Sequence, residues 1–158
     1  MQRNLLICIS IIFLFTGCSY QLINPEQTIV YVEIFSNHTL QPEIDLYLLK
    51  NLKKTITRSP GFILASSKSS ADIIISGIIE EFSRNPEFIS KSDQIIMASY
   101  RVKILLNIEK NHQIMKRNID QIYSLELATK FKKDYLLDQL SNKISQDIYF
   151  QLLQLNEK

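Results

Sequence analysis

Tyr100, Val102, Ile104, Leu106 and Ile108 alternate with Arg101, Lys103, Leu105, Asn107 and Glu109, the most regular pattern in the chain. Successive side chains of a strand point to opposite faces, so this segment reads as a half-buried strand with one apolar and one mostly polar face. Lys110-Asn111-His112-Gln113 reads as a turn, and Ile114 to Leu125 as a less regular returning strand. Upstream, Thr28 to Phe35 is β-branched and aromatic and predicts a strand. Pro42-Glu43 predicts the first turn of a helix, because proline has no N–H to lose there and the acid faces the positive end of the dipole. Leu48, Leu49, Leu52 and Ile56 then repeat at helical spacing until Ser59-Pro60-Gly61 stops the run. Phe62 to Ala65 is a short additional strand. Asp72 to Arg84 is a longer one, with Gly77 marking a bulge or a close backbone approach and Asn85-Pro86 ending it. From Asp134 the chain carries Leu137, Leu140, Ile144, Ile148, Leu152 and Leu155 at spacings of three or four, a long amphipathic helix.

The order is β-α-β-β-β-α. Two helices with one apolar stripe each, and strands with one apolar face, predict an α+β two-layer sandwich. Its expected form is a four-stranded mixed sheet with both helices packed on one face, which leaves the polar sheet face open to water or to a partner. The Ser-rich stretch from Ser66 to Ser70 fits a turn rather than a linker, so residues 28–158 are expected to form a single domain.

The first eighteen residues change the picture. Arg3 precedes an apolar run of eleven residues, Leu5 to Phe15, and Thr16-Gly17-Cys18 follows. A basic flank, a short apolar stretch and small residues at the exit are the marks of a secretory signal. The run is about half of the ~20 residues that a membrane-crossing helix needs. Phe15-Thr16-Gly17-Cys18 resembles the lipobox of bacterial lipoproteins, although Phe15 stands where Leu is usual. In that resemblance residues 1–17 are a signal peptide, Cys18 carries the lipid, and residues 18–27 are the tether to the domain. Lipidation contributes ~0.8 kcal/mol per buried methylene, and two chains already anchor stably. Cys8 lies inside the removed segment, which leaves the mature chain with no second thiol for a disulfide or a multi-cysteine metal site.

Removal of Arg3 lowers the formal net charge from +2 to +1. This is no general polyanion binder, and no nucleic-acid partner is expected. His38 and His112 fall in predicted turns without cysteines or paired carboxylates at ligand spacing, so neither a metal nor a cofactor is expected. Phosphate loops and hydrolase motifs are lacking, and Glu80-Glu81 alternate across a strand and would face opposite ways. A non-enzymatic role is expected.

With the lipobox and the element order together, the chain resembles the LPS-assembly lipoproteins of the LptE type. The matching residues are Gly17-Cys18-Ser19-Tyr20, Ile34-Phe35-Ser36-Asn37-His38-Thr39, Pro42-Glu43, Ala71-Asp72 with Gly77 and Ile79, and Tyr100-Arg101-Val102. The departures are Ser19, where many relatives have Gly, and the lack of a Gly or Pro turn at Lys110. The resemblance implies a lipid-anchored protein on the periplasmic side of the outer membrane. Such a protein plugs and helps to assemble a large LptD-type β-barrel that delivers lipopolysaccharide to the cell surface. The alternative is a periplasm-facing lipoprotein acting as a lipid carrier, or as a scaffold or activator of cell-wall machinery.

Under that resemblance Arg101, Lys103, Lys116 and Arg117 become candidates for lipopolysaccharide binding, since charge-assisted bonds to phosphate are strong. Arg101 and Lys103 share the polar face of the strongest strand, and Lys116-Arg117 lies across the turn. The plainer expectation is a solvated face balanced by Glu109 and Glu126. Lys130, Lys132 and Lys133, before the last helix, fit either lipid headgroups or a solvated loop. Asn37-His38-Thr39 is best read as the strand-to-helix turn, with Thr39 available as a capping hydroxyl.

Overall fold

The computed structural model of the chain describes residues 27–92, 94–126 and 133–156. The expected signal sequence, Cys18 and most of the expected tether lie outside the described residues, as do Lys130 and Lys132. The elements run in order β1 (Thr28–Val32), β2 (Ser36–Asn37), α1 (Ile44–Arg58), β3 (Phe62–Leu64), a 3-10 turn (Lys68–Ser70), β4 (Ile73–Ile89), β5 (Ile95–Lys110), β6 (Gln113–Glu126) and α2 (Lys133–Asn156).

The sheet is mixed and has six strands rather than the expected four, in the order β3-β1-β4-β5-β6, with β2 continuing along β4 past the end of β1. β1 lies parallel to both β3 and β4, and β4, β5 and β6 form an antiparallel meander. The two extra strands are only two and three residues long. β3 is the short strand expected from Phe62 to Ala65, whereas the two residues of β2, read as a loop, carry too little periodicity to announce themselves.

Both helices lie on one face. Along β5 the residues from Ala98 to Ile108 that face them are all buried, and Val30, Val32, Ile73, Ile75 and Ile79 join them. Ile44, Leu48, Leu52 and Ile56 of α1 meet Leu140, Ile144, Ile148 and Leu152 of α2 over this layer, all fully or almost fully buried. Each such side chain contributes about 1.5–3 kcal/mol by leaving water. The helices run parallel: Lys133 pairs with Glu43 at their starts, Asn51 Nδ2 reaches Asp138 midway, and the Tyr149 ring meets Phe62 edge-on beyond the end of α1. Lys110 Nζ donates to the Leu155 carbonyl at 3.1 Å, placing a cation on the negative end of α2.

Several local expectations are corrected. α1 begins at Ile44, and Pro42-Glu43 lie just outside it, with Glu43 left-handed at φ 70° and Asp45 supplying the first-turn acid. Thr39 closes the preceding loop instead of capping the helix: its hydroxyl accepts from the Gln41 amide at 3.2 Å and donates to Asn37 Oδ1 at 2.8 Å. Asn85-Pro86 does not end β4, which continues to Ile89. β2 pairs with β4 only as far as Ile79, so Pro86 sits on an edge where no N–H is needed. Glu80 and Glu81 do not alternate, because the register of β4 shifts between Ile79 and Glu81.

The Lys110 hairpin manages without glycine. Asn111 and His112 take φ values of 52° and 60° between strands paired at Lys110 and Gln113, a two-residue turn of the kind that matches strand twist. Gly77 is the close approach that its place in the strand suggested. A Cβ there would stand 2.6 Å from the Phe35 ring and 2.7 Å from the Leu105 carbonyl oxygen.

Candidate functional site: the open sheet face

Because the helices cover one face, every second residue of β1, β4, β5 and β6 faces away from them. Register places Arg101, Lys103, Leu105, Asn107 and Glu109 of β5 on this face, opposite Ile122, Asp120, Asn118, Lys116 and Ile114 of β6. From β4 come Ile74, Ser76, Ile78 and, past the bulge, Glu81 and Ser83. From β1 come Ile29 and Tyr31.

The face is not polar throughout. Tyr31 lies beside Ile74 and Ile78 beside Leu105, and these side chains are half-buried on one another without any helix above them. Ile29 next to Ile63 extends the strip to the β3 edge. Contiguous apolar surface left uncovered in this way marks interaction sites. Leu105, the one apolar residue among the alternating polar positions from Arg101 to Glu109, was its clearest sign in the sequence.

The charged part of the face is compensated. Lys103 Nζ is 2.6 Å from Glu81 Oε2, and Arg101 Nε is 3.3 Å from Asp120 Oδ1. The ammonium of Lys103, with the Ser83 hydroxyl donating at 2.8 Å, holds the Glu81 carboxyl below its ordinary pKa. The acids that balance the cations are therefore Glu81 and Asp120, not the expected Glu109 and Glu126. Sequence distance hid both: Glu81 reaches Lys103 only through the bulge, and Asp120 reaches Arg101 only as a diagonal neighbour across the hairpin.

The four cationic candidates do not gather into one patch. Arg101, Lys103 and Lys116 share the open face, but Lys116 stands opposite Asn107, four residues along β5 from Lys103, or ~13 Å. Arg117 stands opposite Leu106 and so projects to the helix side of the edge. Lys133, weighed as a headgroup contact, pairs with Glu43 at 3.2 Å.

At one end the β4–β5 ribbon outruns its neighbours, since β6 last pairs with it at Met97 and β2 at Ile79. Phe88 and Ile89 near its tip are 63% and 58% exposed, and Ile95 and Ile96 accompany them. Thr28, where the tether would join, lies at the other end of the sheet, opposite Phe62 and two residues before the Val30–Ile73 pairing. Among the described residues no three potential ligand side chains cluster as for a metal, and no helix is long and apolar enough to cross a membrane.

No family model and no curated protein matches the sequence. Solved structures match its fold. A hypothetical protein from Chlamydia trachomatis superposes with a TM-score of 0.56 at 8% identity, covering 80% of this chain and 95% of its own. Rare lipoprotein B from Shewanella oneidensis gives 0.51 at 6% identity, over 79% and 95%. Lipoprotein B from Nitrosomonas europaea gives 0.51 at 10%, over 84% and 87%. At such identities the likeness is one of fold, and it covers nearly the whole described domain. The chain thus has an α+β sandwich fold that solved bacterial lipoproteins also have.

Proposed function

We propose that the chain is a non-catalytic envelope lipoprotein, anchored through Cys18 to the periplasmic side of the outer membrane. It plugs and helps to assemble the β-barrel translocon that delivers lipopolysaccharide to the cell surface. The observation that carries this reading is the uncovered sheet face: an apolar strip beside charges already neutralised within the chain. A plug needs a rigid outer surface that tolerates the polar lumen of a barrel, and compensated pairs on a sheet are such a surface. The lipobox-like Phe15-Thr16-Gly17-Cys18 ahead of a fold shared with bacterial lipoproteins agrees with it.

The tether of residues 18–27 would span at most ~35 Å when extended. β4 alone is 17 residues long, ~55 Å at ~3.3 Å per residue. With Thr28 at one end of the sheet and the Phe88 tip at the other, the tip of an upright domain lies beyond reach of the anchoring leaflet and is presented to a partner. A lipid carrier would need an internal cavity, whereas the stripes from Leu48 to Ile56 and from Leu140 to Leu152 fill the space between helices and sheet.

The test is an affinity pull-down of the tagged full-length chain from detergent-solubilised envelopes, with Cys18→Ala as control. Recovery of one large β-barrel protein in near-equal amount is expected. Recovery of the lipidated chain alone sinks the plug.

A further inference from the structure

We infer that β6 is a self-recognition edge: two copies of this chain pair antiparallel through it, about a two-fold axis at Asn118, into one continuous sheet. The inference goes beyond the translocon reading and does not rest on it.

β6 ends the sheet, so its outer row of backbone N–H and C=O groups has no strand beside it among the described residues. Such an edge is a template for another strand, and proteins that must stay apart blunt it. This one runs for 14 residues with no proline or glycine, and its open-face side carries the exposed Ile114 and Ile122, at 62% and 44%. Lys143 Nζ of α2 donates to the Ile122 carbonyl at 3.1 Å and must yield that acceptor to the second copy.

The occupant follows from charge and apolar matching. When two such sheets join with their helix layers on the same side, only registers that keep each residue on its own face are allowed. With the axis at Asn118, Ile114 of each copy meets Ile122 of the other, and Lys116 meets Asp120, each pair occurring twice. Among the described residues Lys116 makes no ion pair, and Asp120 would stand between Arg101 and the partner's Lys116. Moving the axis to Arg117, Asp120 or Lys116 sets like charges directly against one another, which is destabilising.

The helix side of the edge agrees independently. There Arg117 falls opposite Ile119 of the second copy. Beside Ile119 lies a hollow of about 340 Å³ lined by Gln121, Asp147, Phe150 and Gln151. Gln151 Oε1 is buried there without a hydrogen-bond donor, and Phe150 is 60% exposed. Among the described residues of its own chain Arg117 finds only the Lys116 carbonyl, at 3.4 Å. An incoming guanidinium supplies the donors that Gln151 lacks, a charge for Asp147, which also accepts from Gln121, and a cation over an aromatic ring. The symmetry that matches Lys116 to Asp120 thus also delivers Arg117 to an acceptor.

The test is sedimentation of the full-length chain in detergent over a wide concentration range, with Lys116→Asp and Asp120→Lys. Each variant alone should dissociate at least about tenfold more readily than wild type, since two repulsive pairs replace two attractive ones. Mixed together they should form a heterodimer, because both cross pairs are then attractive. Asn118→Cys, in a chain whose Cys8 and Cys18 are serines, should oxidise to a covalent dimer. Residues directly opposite in antiparallel strands have Cα atoms ~4.5–5.5 Å apart, within disulfide reach. A chain that stays monomeric at all concentrations overturns the inference. So does a dimer indifferent to Lys116→Asp and not captured by Asn118→Cys, which would use another surface.

Discussion

The two faces of β5 are built from adjacent residues and live by different rules. Tyr100, Val102, Ile104, Leu106 and Ile108 lie under the helices, where shape decides and every void costs energy. Arg101, Lys103 and Leu105 lie one residue away on the other face, where each side chain is half in water and its neighbours across the strand decide what it does. The packed core lies on the first face, and the proposed recognition on the second. That division leaves the open face free to carry apolar surface that a solitary domain has no use for.

The largest effect should come from the covered face. Ile104→Ala is expected to cost about 2–5 kcal/mol in urea unfolding, because a fully enclosed side chain leaves a cavity that its neighbours fill only in part. Leu105→Ala, its neighbour on the open face, should cost under about 1 kcal/mol by the same measurement. Equal costs would mean that the open face is also packed within the monomer. Next is Gly77→Ala, expected to cost about 1–3 kcal/mol by overpacking, since a new methyl group meets the Phe35 ring and the backbone of Leu105. Trimming Phe35 should not restore it, because the carbonyl cannot yield.

Asn51→Ala probes a buried amide of the covered layer. Its Nδ2 donates to Asp138 Oδ1 at 3.2 Å, so the expected loss is about 0.5–1.5 kcal/mol in thermal unfolding. The smallest effect belongs to the open face. Glu81 has a folded pKa below its ordinary value, so its pairing stabilises the native state above the unfolded pKa and that contribution fades as pH falls through the lowered one. Midpoints of wild type and Glu81→Gln should therefore differ slightly at neutral pH and converge in acid. Persistence of the difference in strong acid would assign it to packing rather than charge.

Much of this division was legible in the sequence. The alternation from Tyr100 to Glu109 placed each β5 residue on its correct face, and the leucine and isoleucine stripes of α1 and α2 found the residues that close the core. The failures share a physical cause. β2 exists because β4 offers it a partner, and two residues have no pattern of their own. Pro86 reads as a breaker until one knows that β4 is an edge there. Arg101 and Lys103 read as a basic patch, or as cations balanced by Glu109 and Glu126, because their actual acids are distant in sequence, one of them brought across by a bulge. The apolar strip of Tyr31, Ile74, Ile78 and Leu105 is assembled from three strands and belongs to no segment's periodicity.

The most direct test of the claim that the open face is the partner-facing one is site-specific photocrosslinking in living cells. A photoreactive residue would replace Asn107 on the open face or, as the contrast, Lys54 on the exposed outer side of α1. The account predicts one crosslinked product of barrel size from position 107 and none from position 54. Crosslinks from position 54 alone, or from neither position while the chain remains folded and lipidated, would contradict it.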